Sequence, residues 1–144
     1  MELMDYNKIK SEALALGACD LITGITNFPG LLQLLFTPQG VEFARNTQYP
    51  SLKIWREFKA LLPPEGYCVD AGEITLENPS RVVLTGNTHA RIRYTTPDQR
   101  CELLVFEGAT AQVEVSGYGV VFWADCGAKE VKITTTERGL AYEL

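Results

Sequence analysis

The second half of the chain carries the pattern that most constrains the fold. From Glu65 onward, apolar and polar residues alternate with a period of two, and turn residues interrupt the alternation at short intervals. Such alternation is typical of β-strands. It predicts nine strands, at Tyr67–Asp70, Glu73–Leu76, Arg81–Thr85, His89–Thr95, Cys101–Phe106, Ala111–Val115, Val120–Ala124, Glu130–Thr136 and Leu140–Glu143. No helical window lies among them, so segment 65–144 is predicted to be all-β.

The turn glycines favour either a β-sandwich or a short β-solenoid. They lie at positions 72, 86, 108, 117, 127 and 139, and the last intervals are 9, 10 and 12 residues. In a solenoid, like residues stack from rung to rung. The motifs that could form such a stack are Ala90-x-Ile92, Ala111-x-Val113 and Val131-x-Ile133, behind corners at Gly86–His89 and Gly108–Thr110. The repeat is degenerate, so both folds stay open.

The first 64 residues have helical periodicity instead. A first helix is indicated by Ile9, Ala13 and Leu16, with Asp5 as its cap and Gly17 as its stop. A short apolar element at 21–25 follows. Three further helices are predicted. The first, PGLLQLLF, begins at Pro29, and the second, TPQGVEFARN, has Thr37 as its cap and Pro38 in its first position. The third, YPSLKIWREFKALLPP, ends at Pro63-Pro64 and places on one side Leu52, Trp55, Phe58 and Leu62.

Together these patterns predict an α+β fold. A helical segment, 1–64, is expected to pack on an all-β sandwich or short solenoid, 65–144. Four stretches carry a resemblance to known proteins: GNTHARIRY, EGATAQVEVSGYGVVF, FTPQGVEFARNTQYPSLKIWREFK and, after the last of these, VDAGEITLENPSRVVLTGN. They resemble a group of small uncharacterised bacterial proteins of mobile or phage-like elements. The resemblance covers residues 20 to 125. It implies a helical segment followed by a β-rich or solenoid tail, and it implies no activity or catalytic residues.

Composition and cysteine spacing narrow the class of protein. With 144 residues, 46% of them hydrophobic, the chain is large enough to bury a core without disulfides. No leader and no apolar stretch long enough for a bilayer is evident, so we expect a soluble, cytoplasmic protein that does not enter membranes. The four cysteines lie far apart and form no CxxC motif. They are therefore expected to be free, buried thiols.

The charge distribution argues against a nucleic-acid partner. Residues 1–64 hold six basic and six acidic residues, whereas 65–144 hold seven basic and twelve acidic ones. Excess negative charge repels a phosphate backbone. Arg91 and Arg93 share the exposed face of one predicted strand. They are expected to pair across strands with Glu102 or Glu114, or to bind an anionic ligand or partner.

No constellation in the chain predicts catalysis, a metal or a cofactor. His89 is the only histidine, which excludes a site built from several imidazoles. No phosphate-binding glycine loop or nucleophile elbow is present. Asp70 and Glu73 flank a turn glycine and are interpreted as turn residues. Asp125 is interpreted as a charge that ends an apolar, aggregation-prone strand.

The strand at 120–124 suggests where the chain makes contacts. Alternation places Phe122 and Trp123 on opposite faces of a strand that is apolar on both. The second face would be covered by the helical segment or by a partner. We therefore expect a non-catalytic protein-interaction or assembly module that binds another protein or itself, with Tyr118, Phe122 and Trp123 as contact residues beside Arg91 and Arg93.

Two other classes of function stay open from the sequence. One is an immunity-type or regulatory binder whose acidic β half blocks the basic site of a partner. The other is a small hydrolase that pairs His89 with Cys68, Cys101 or Cys126. A lowered thiol pKa would favour the hydrolase, and steep salt dependence of binding would favour the acidic binder.

Overall fold

Helices occupy the first part of the chain and strands the second. The structure is a computed structural model that describes residues 6–17, 28–97 and 99–144. Its two compact units are Met1–Leu62 and Pro63–Leu144. The helices are α1 (Tyr6–Ala15), α2 (Phe28–Leu35), α3 (Pro38–Thr47) and α4 (Leu52–Glu57), with a 3₁₀ turn at Lys59–Leu61. The strands are β1 (Tyr67–Val69), β2 (Gly72–Glu77), β3 (Arg81–Thr85), β4 (Thr88–Tyr94), β5 (Cys101–Phe106), β6 (Thr110–Val115), β7 (Val120–Cys126), β8 (Glu130–Thr135) and β9 (Leu140–Glu143). The α+β class is confirmed.

Helix α3 begins where its sequence predicts. The side chain of Thr37 accepts a hydrogen bond from the Gly40 backbone N–H at 3.1 Å, and Pro38 occupies the first helical position. The cap satisfies an N–H that has no partner inside the helix, while proline lacks the N–H that would otherwise need one. The helix ends at Thr47, and the residue that caps it, Gln48, is left-handed with φ of 59°.

The other helices agree with the sequence only in part. In α1, Ile9 and Ala13 are buried as predicted, but Leu16 lies past the helix end and is 50% exposed. The last helix is shorter than its pattern suggests, because α4 ends at Glu57 and the chain tightens into the 3₁₀ turn before Pro63. The predicted element at 21–25 and the Asp5 cap lie outside the described residues.

The β unit is a solenoid and not a sandwich. Strands β1, β3, β5, β7 and β9 form sheet A, while β2, β4, β6 and β8 form sheet B. Consecutive strands therefore lie in different sheets, and every strand pairing is parallel. A sandwich built from hairpins would instead have antiparallel neighbours. Each rung contains one strand of each sheet, and β9 begins a fifth rung.

The interior of the solenoid consists of stacked columns of like residues. The predicted stack is confirmed, because Ala90 pairs with Ala111 and Ala111 with Val131. In the next inward column, Ile92 pairs with Val113 and Val113 with Ile133. Sheet A contributes its own inward-facing residues to the same hydrophobic cluster, namely Val82, Leu84, Cys101, Leu103, Val105 and Val121. The rungs differ in the number of residues they contain, as the sequence separation of paired residues shows. Tyr67 pairs with Val83, Arg81 with Glu102, and Cys101 with Val121.

Glycines let the corners stack as closely as the strands do. At the corner after β5, a Cβ on Gly108 would lie 3.1 Å from the carbonyl oxygen of Gly86 one rung below. At the opposite corner, a Cβ on Gly119 would collide with the backbone carbonyl of Tyr94. Both positions therefore require glycine because a neighbouring rung occupies the space of a side chain.

Candidate functional site

The outward face of sheet B is polar in every column. Parallel pairing aligns four residues in each of three columns across the sheet: Glu73, His89, Thr110 and Glu130; Thr75, Arg91, Gln112 and Lys132; Glu77, Arg93, Glu114 and Thr134. These residues alternate with the inward columns, as period-two strands require. Part of this face forms a groove of about 510 Å³ around His89, Arg91, Thr110 and Gln112.

Both ring nitrogens of His89 have neutral neighbours. Nδ1 lies 2.8 Å from Thr110 Oγ1, and Nε2 lies 3.1 Å from Asn87 Oδ1. His89 points outward from sheet B, whereas Cys68 and Cys101 pack with the interior cluster. The structure thus does not bring the histidine together with either of these thiols.

The described cysteines are free, and burial makes two of them less acidic. Cys101 and Cys126 are buried and Cys68 is half-buried. Loss of hydration raises the pKa of the Cys68 and Cys101 thiols above the ordinary value. A nucleophilic cysteine needs the opposite shift.

The two arginines of β4 have different environments. Arg93 Nε lies 3.6 Å from Glu114 Oε2 on the neighbouring strand, as predicted. Glu102 is not a partner of either arginine, because β5 belongs to sheet A, where Glu102 lies 3.9 Å from Arg81 and 3.3 Å from Arg100. Arg91 has no hydrogen-bond or ion-pair partner among the described residues.

The outward face of sheet A is largely apolar. Its central column includes Val83, Leu104 and Ala124, which are all fully buried. The apolar second face at 120–124 is therefore shielded from water at Ala124. The expectation that the helical segment covers this face stays a prediction.

Phe122 and Trp123 point to opposite sides of β7. Phe122 lies on the outward face, stacks on Tyr142 with ring centroids 5.2 Å apart, and has the Arg100 guanidinium 4.2 Å above its ring. Trp123 instead packs against the interior cluster and stays partly exposed, since no further rung of sheet B lies beyond β8 among the described residues. Phe122 and Trp123, which were predicted to contact a partner together, therefore lie on two different surfaces of the β unit.

The exposed apolar side chains of the β unit gather near its last rung. Tyr118 is 60% exposed in the corner before β7, and Leu140 and Tyr142 of β9 are 48% and 47% exposed. Val131 and Ile133 of β8 are half-buried, although their equivalents one rung earlier, Ala111 and Val113, are buried. We call the surface formed by β8 and β9 the β8–β9 end.

The five predicted binding residues do not form one site. Arg91 and Arg93 lie on the outward face of sheet B, while Phe122 lies on that of sheet A and Tyr118 at a corner. Sequence reasoning missed Leu140 and Tyr142, which only the rung order places at an end of the solenoid. Their alternation with Ala141 and Glu143 was the available signal, but it marks a face and not an edge.

The remaining carboxylates near turns have structural roles. Asp125 Oδ1 accepts hydrogen bonds from the backbone N–H groups of Gly127 and Ala128 at 3.0 and 2.8 Å. Asp70 Oδ1 accepts one from Asn87 at 2.8 Å. Asp125 thus shapes the corner after β7 and does more than end a strand. Within the described ranges, no group of three or more His, Cys, Asp or Glu residues is arranged to hold a metal ion.

Comparisons with known proteins add no relative. No family model, no curated protein and no solved structure matches the chain. The resemblance to bacterial proteins of mobile elements therefore stays a prediction. None of the described helices is both long and apolar enough to cross a bilayer.

Proposed function

We propose that this chain is a non-catalytic protein-interaction or assembly module that binds through the β8–β9 end. The observation that carries the proposal is the exposure of Tyr118, Leu140 and Tyr142 close to two strand edges. Edge strands offer unpaired backbone groups, and natural proteins usually protect them. Aromatic side chains beside such an edge are the residues that protein interfaces favour.

The acidic-binder alternative has less support than the end of the solenoid. On the outward face of sheet B, Arg93 shares a column with Glu77 and Glu114, and Lys132 shares strand β8 with Glu130. Arg91 adds a third cation to the same face. The net charge of −5 is therefore not gathered into one acidic patch on this face. A partner with a basic site would meet cations as well as carboxylates here.

The hydrolase alternative also lacks a supporting contact. The nitrogens of His89 face Thr110 and Asn87, and burial raises the pKa of the Cys68 and Cys101 thiols. A Cys-His pair needs a direct hydrogen bond and a readily formed thiolate. Neither feature is present at Cys68 or Cys101.

The proposal is tested by capture from a lysate of the source cells with the tagged protein, using surface variants that leave the core intact. We expect the double variant Leu140→Ser/Tyr142→Ser to lose stoichiometric partners, a second copy of the chain included. Leu61→Ser is the control, because Leu61 is 58% exposed in the other unit. Equal capture by wild type and the double variant would overturn the proposal, as would equal loss in the control.

A further inference from the structure

Strand β8 leaves one of its two edges without a partner among the described residues. It is the last strand of sheet B and pairs only with β6. Its outward side chains are Glu130, Lys132 and Thr134, all exposed, and its inward ones are Val131 and Ile133, both half-buried. The edge thus combines open backbone hydrogen-bonding groups with apolar side chains that a further strand would cover.

Only weak protection against strand pairing is built into this edge. Proline is absent from residues 120–144, and β8 is six residues long. Lys132 is a charge of the kind that keeps edges apart, but Glu130 lies two residues away on the same face. A partner strand that offers the reverse order of charges would meet attraction at both positions.

A second β8 strand in antiparallel orientation offers that reverse order. When Val131 lies opposite Val131 of the second copy, Glu130 of each copy lies opposite Lys132 of the other, and the inward faces stay aligned. Shifting the register by two residues in either direction places Lys132 opposite Lys132 or Glu130 opposite Glu130. The charges therefore favour one register and oppose its neighbours.

Head-to-tail stacking of solenoids is less complementary. If β2 of a second copy continued sheet B in the same columns, Glu73 would lie opposite Glu130. Like charges directly opposite each other destabilise a strand pair. A two-fold contact between identical ends also closes after two copies, whereas head-to-tail stacking continues without limit.

We propose that the β8–β9 end binds a second copy of this chain, through antiparallel pairing of β8 with β8 in a two-fold symmetric dimer. This inference rests on the proposed function and names its partner. Leu140 and Tyr142 add exposed apolar surface at the same end. The Glu130–Lys132 contacts, made twice by symmetry, set the register.

Charge reversal and charge exchange test the dimer. We expect Glu130→Lys or Lys132→Glu to weaken self-association about 10- to 30-fold, because two attractive contacts become repulsive. The double variant Glu130→Lys/Lys132→Glu restores both contacts and should associate like wild type. Within the chain, Thr110 and Gln112 are the neutral neighbours of these residues on β6, so the exchange changes little inside the solenoid.

Sedimentation equilibrium over a range of protein concentrations measures the dimer dissociation constant for all four proteins, and circular dichroism verifies their folding. Thr75→Glu is the matched control, since Thr75 occupies the column of Lys132 at the opposite end. A monomeric wild type, or a dimer indifferent to the single reversals, overturns the inference. If the wild type is monomeric but Leu140→Ser/Tyr142→Ser still loses a partner in the lysate capture, the dimer inference fails and the proposed function stands. If neither sedimentation nor lysate capture detects binding, both fail.

Discussion

The two sheets of the solenoid share one interior but have opposite exteriors. Outward columns of sheet B consist of polar residues, whereas the central outward column of sheet A includes the apolar residues Val83, Leu104 and Ala124. Those three side chains are fully buried, although they point away from the solenoid core. Parallel strands buried on both faces appear in sequence as continuous apolar runs, and strands with one wet face alternate. The contrast explains why CELLVF and VVFWA differ from HARIRY and AQVEV.

The sharpest test of this contrast places the same charge on each exterior. Leu104→Asp should lower the free energy of unfolding by more than about 4 kcal/mol, because it leaves a carboxylate unpaired in a buried site. Gln112→Asp, on the exposed face of sheet B, should change it by less than about 0.5 kcal/mol. Urea denaturation followed by circular dichroism compares the two. Similar losses for both would show that the exteriors do not differ in burial.

A smaller effect is expected at the corners that join the sheets. Gly119→Ala should cost about 2–3 kcal/mol, because the added Cβ meets the Tyr94 backbone and that rung must shift. The neighbouring Tyr118→Ala removes an exposed ring and its contact with the Arg138 guanidinium, 5.7 Å from the ring centroid, so its expected cost is at most about 1 kcal/mol. Thermal unfolding of the two variants under the same conditions measures the difference. Equal stability would mean that the rungs do not approach each other at this corner.

The shared interior can be probed through a buried tyrosine that lacks a partner. Among the described residues, the Tyr94 hydroxyl has no hydrogen bond, whereas the Tyr49 hydroxyl donates to the Ile9 carbonyl oxygen at 3.1 Å. Tyr94→Phe should leave the unfolding free energy unchanged or raise it by up to about 1 kcal/mol, while Tyr49→Phe should lower it by about 1 kcal/mol. Urea titrations of both variants measure whether each substitution raises or lowers the free energy of unfolding. A clear loss in Tyr94→Phe would contradict the buried, unpartnered hydroxyl.

Tyr94 also predicts a pH dependence. Burial raises the pKa of this hydroxyl above its ordinary value of 10.0, so the unfolded chain releases the proton first as the pH rises. The contribution of Tyr94 to stability is therefore complete below pH 10.0 and is lost above it. The Tyr94→Phe variant should lose less stability than wild type over this alkaline range, and identical losses would assign the pH dependence to other groups.

Local patterns sufficed to predict the strands. Arg81–Thr85, Cys101–Phe106 and Leu140–Glu143 match their predicted bounds, and the stack of Ala90 with Ala111 and Val131 follows the predicted motifs. Period-two alternation and turn glycines act over a few residues, so a sequence displays them directly. The cap at Thr37 is of the same kind, because it depends on positions 37 to 40 alone.

Sheet membership and site geometry depend on residues far apart in sequence. Alternation indicates that Glu102 shares a face with its strand neighbours, but it does not indicate that β5 lies in sheet A, away from Arg91 and Arg93. Parallel register here joins residues 16 to 21 positions apart, and the first rung is shorter than the rest. The β8–β9 end is visible only once the rungs are ordered, which is why Leu140 and Tyr142 were not predicted as contacts.

The smallest expected effect separates the two arginines on the exterior of sheet B. Arg93 and Glu114 are more than half exposed, so water screens their 3.6 Å contact. We expect Arg93→Ala to lower the unfolding free energy by up to about 0.5 kcal/mol in low salt and by less in high salt. Arg91→Ala is the matched control, because Arg91 occupies the same strand and face without an ion-pair partner among the described residues. Urea titrations at two salt concentrations compare the free energies of unfolding of the two variants. Equal losses of stability in both would mean that the aliphatic stem of an arginine, rather than its charge, stabilises this polar exterior.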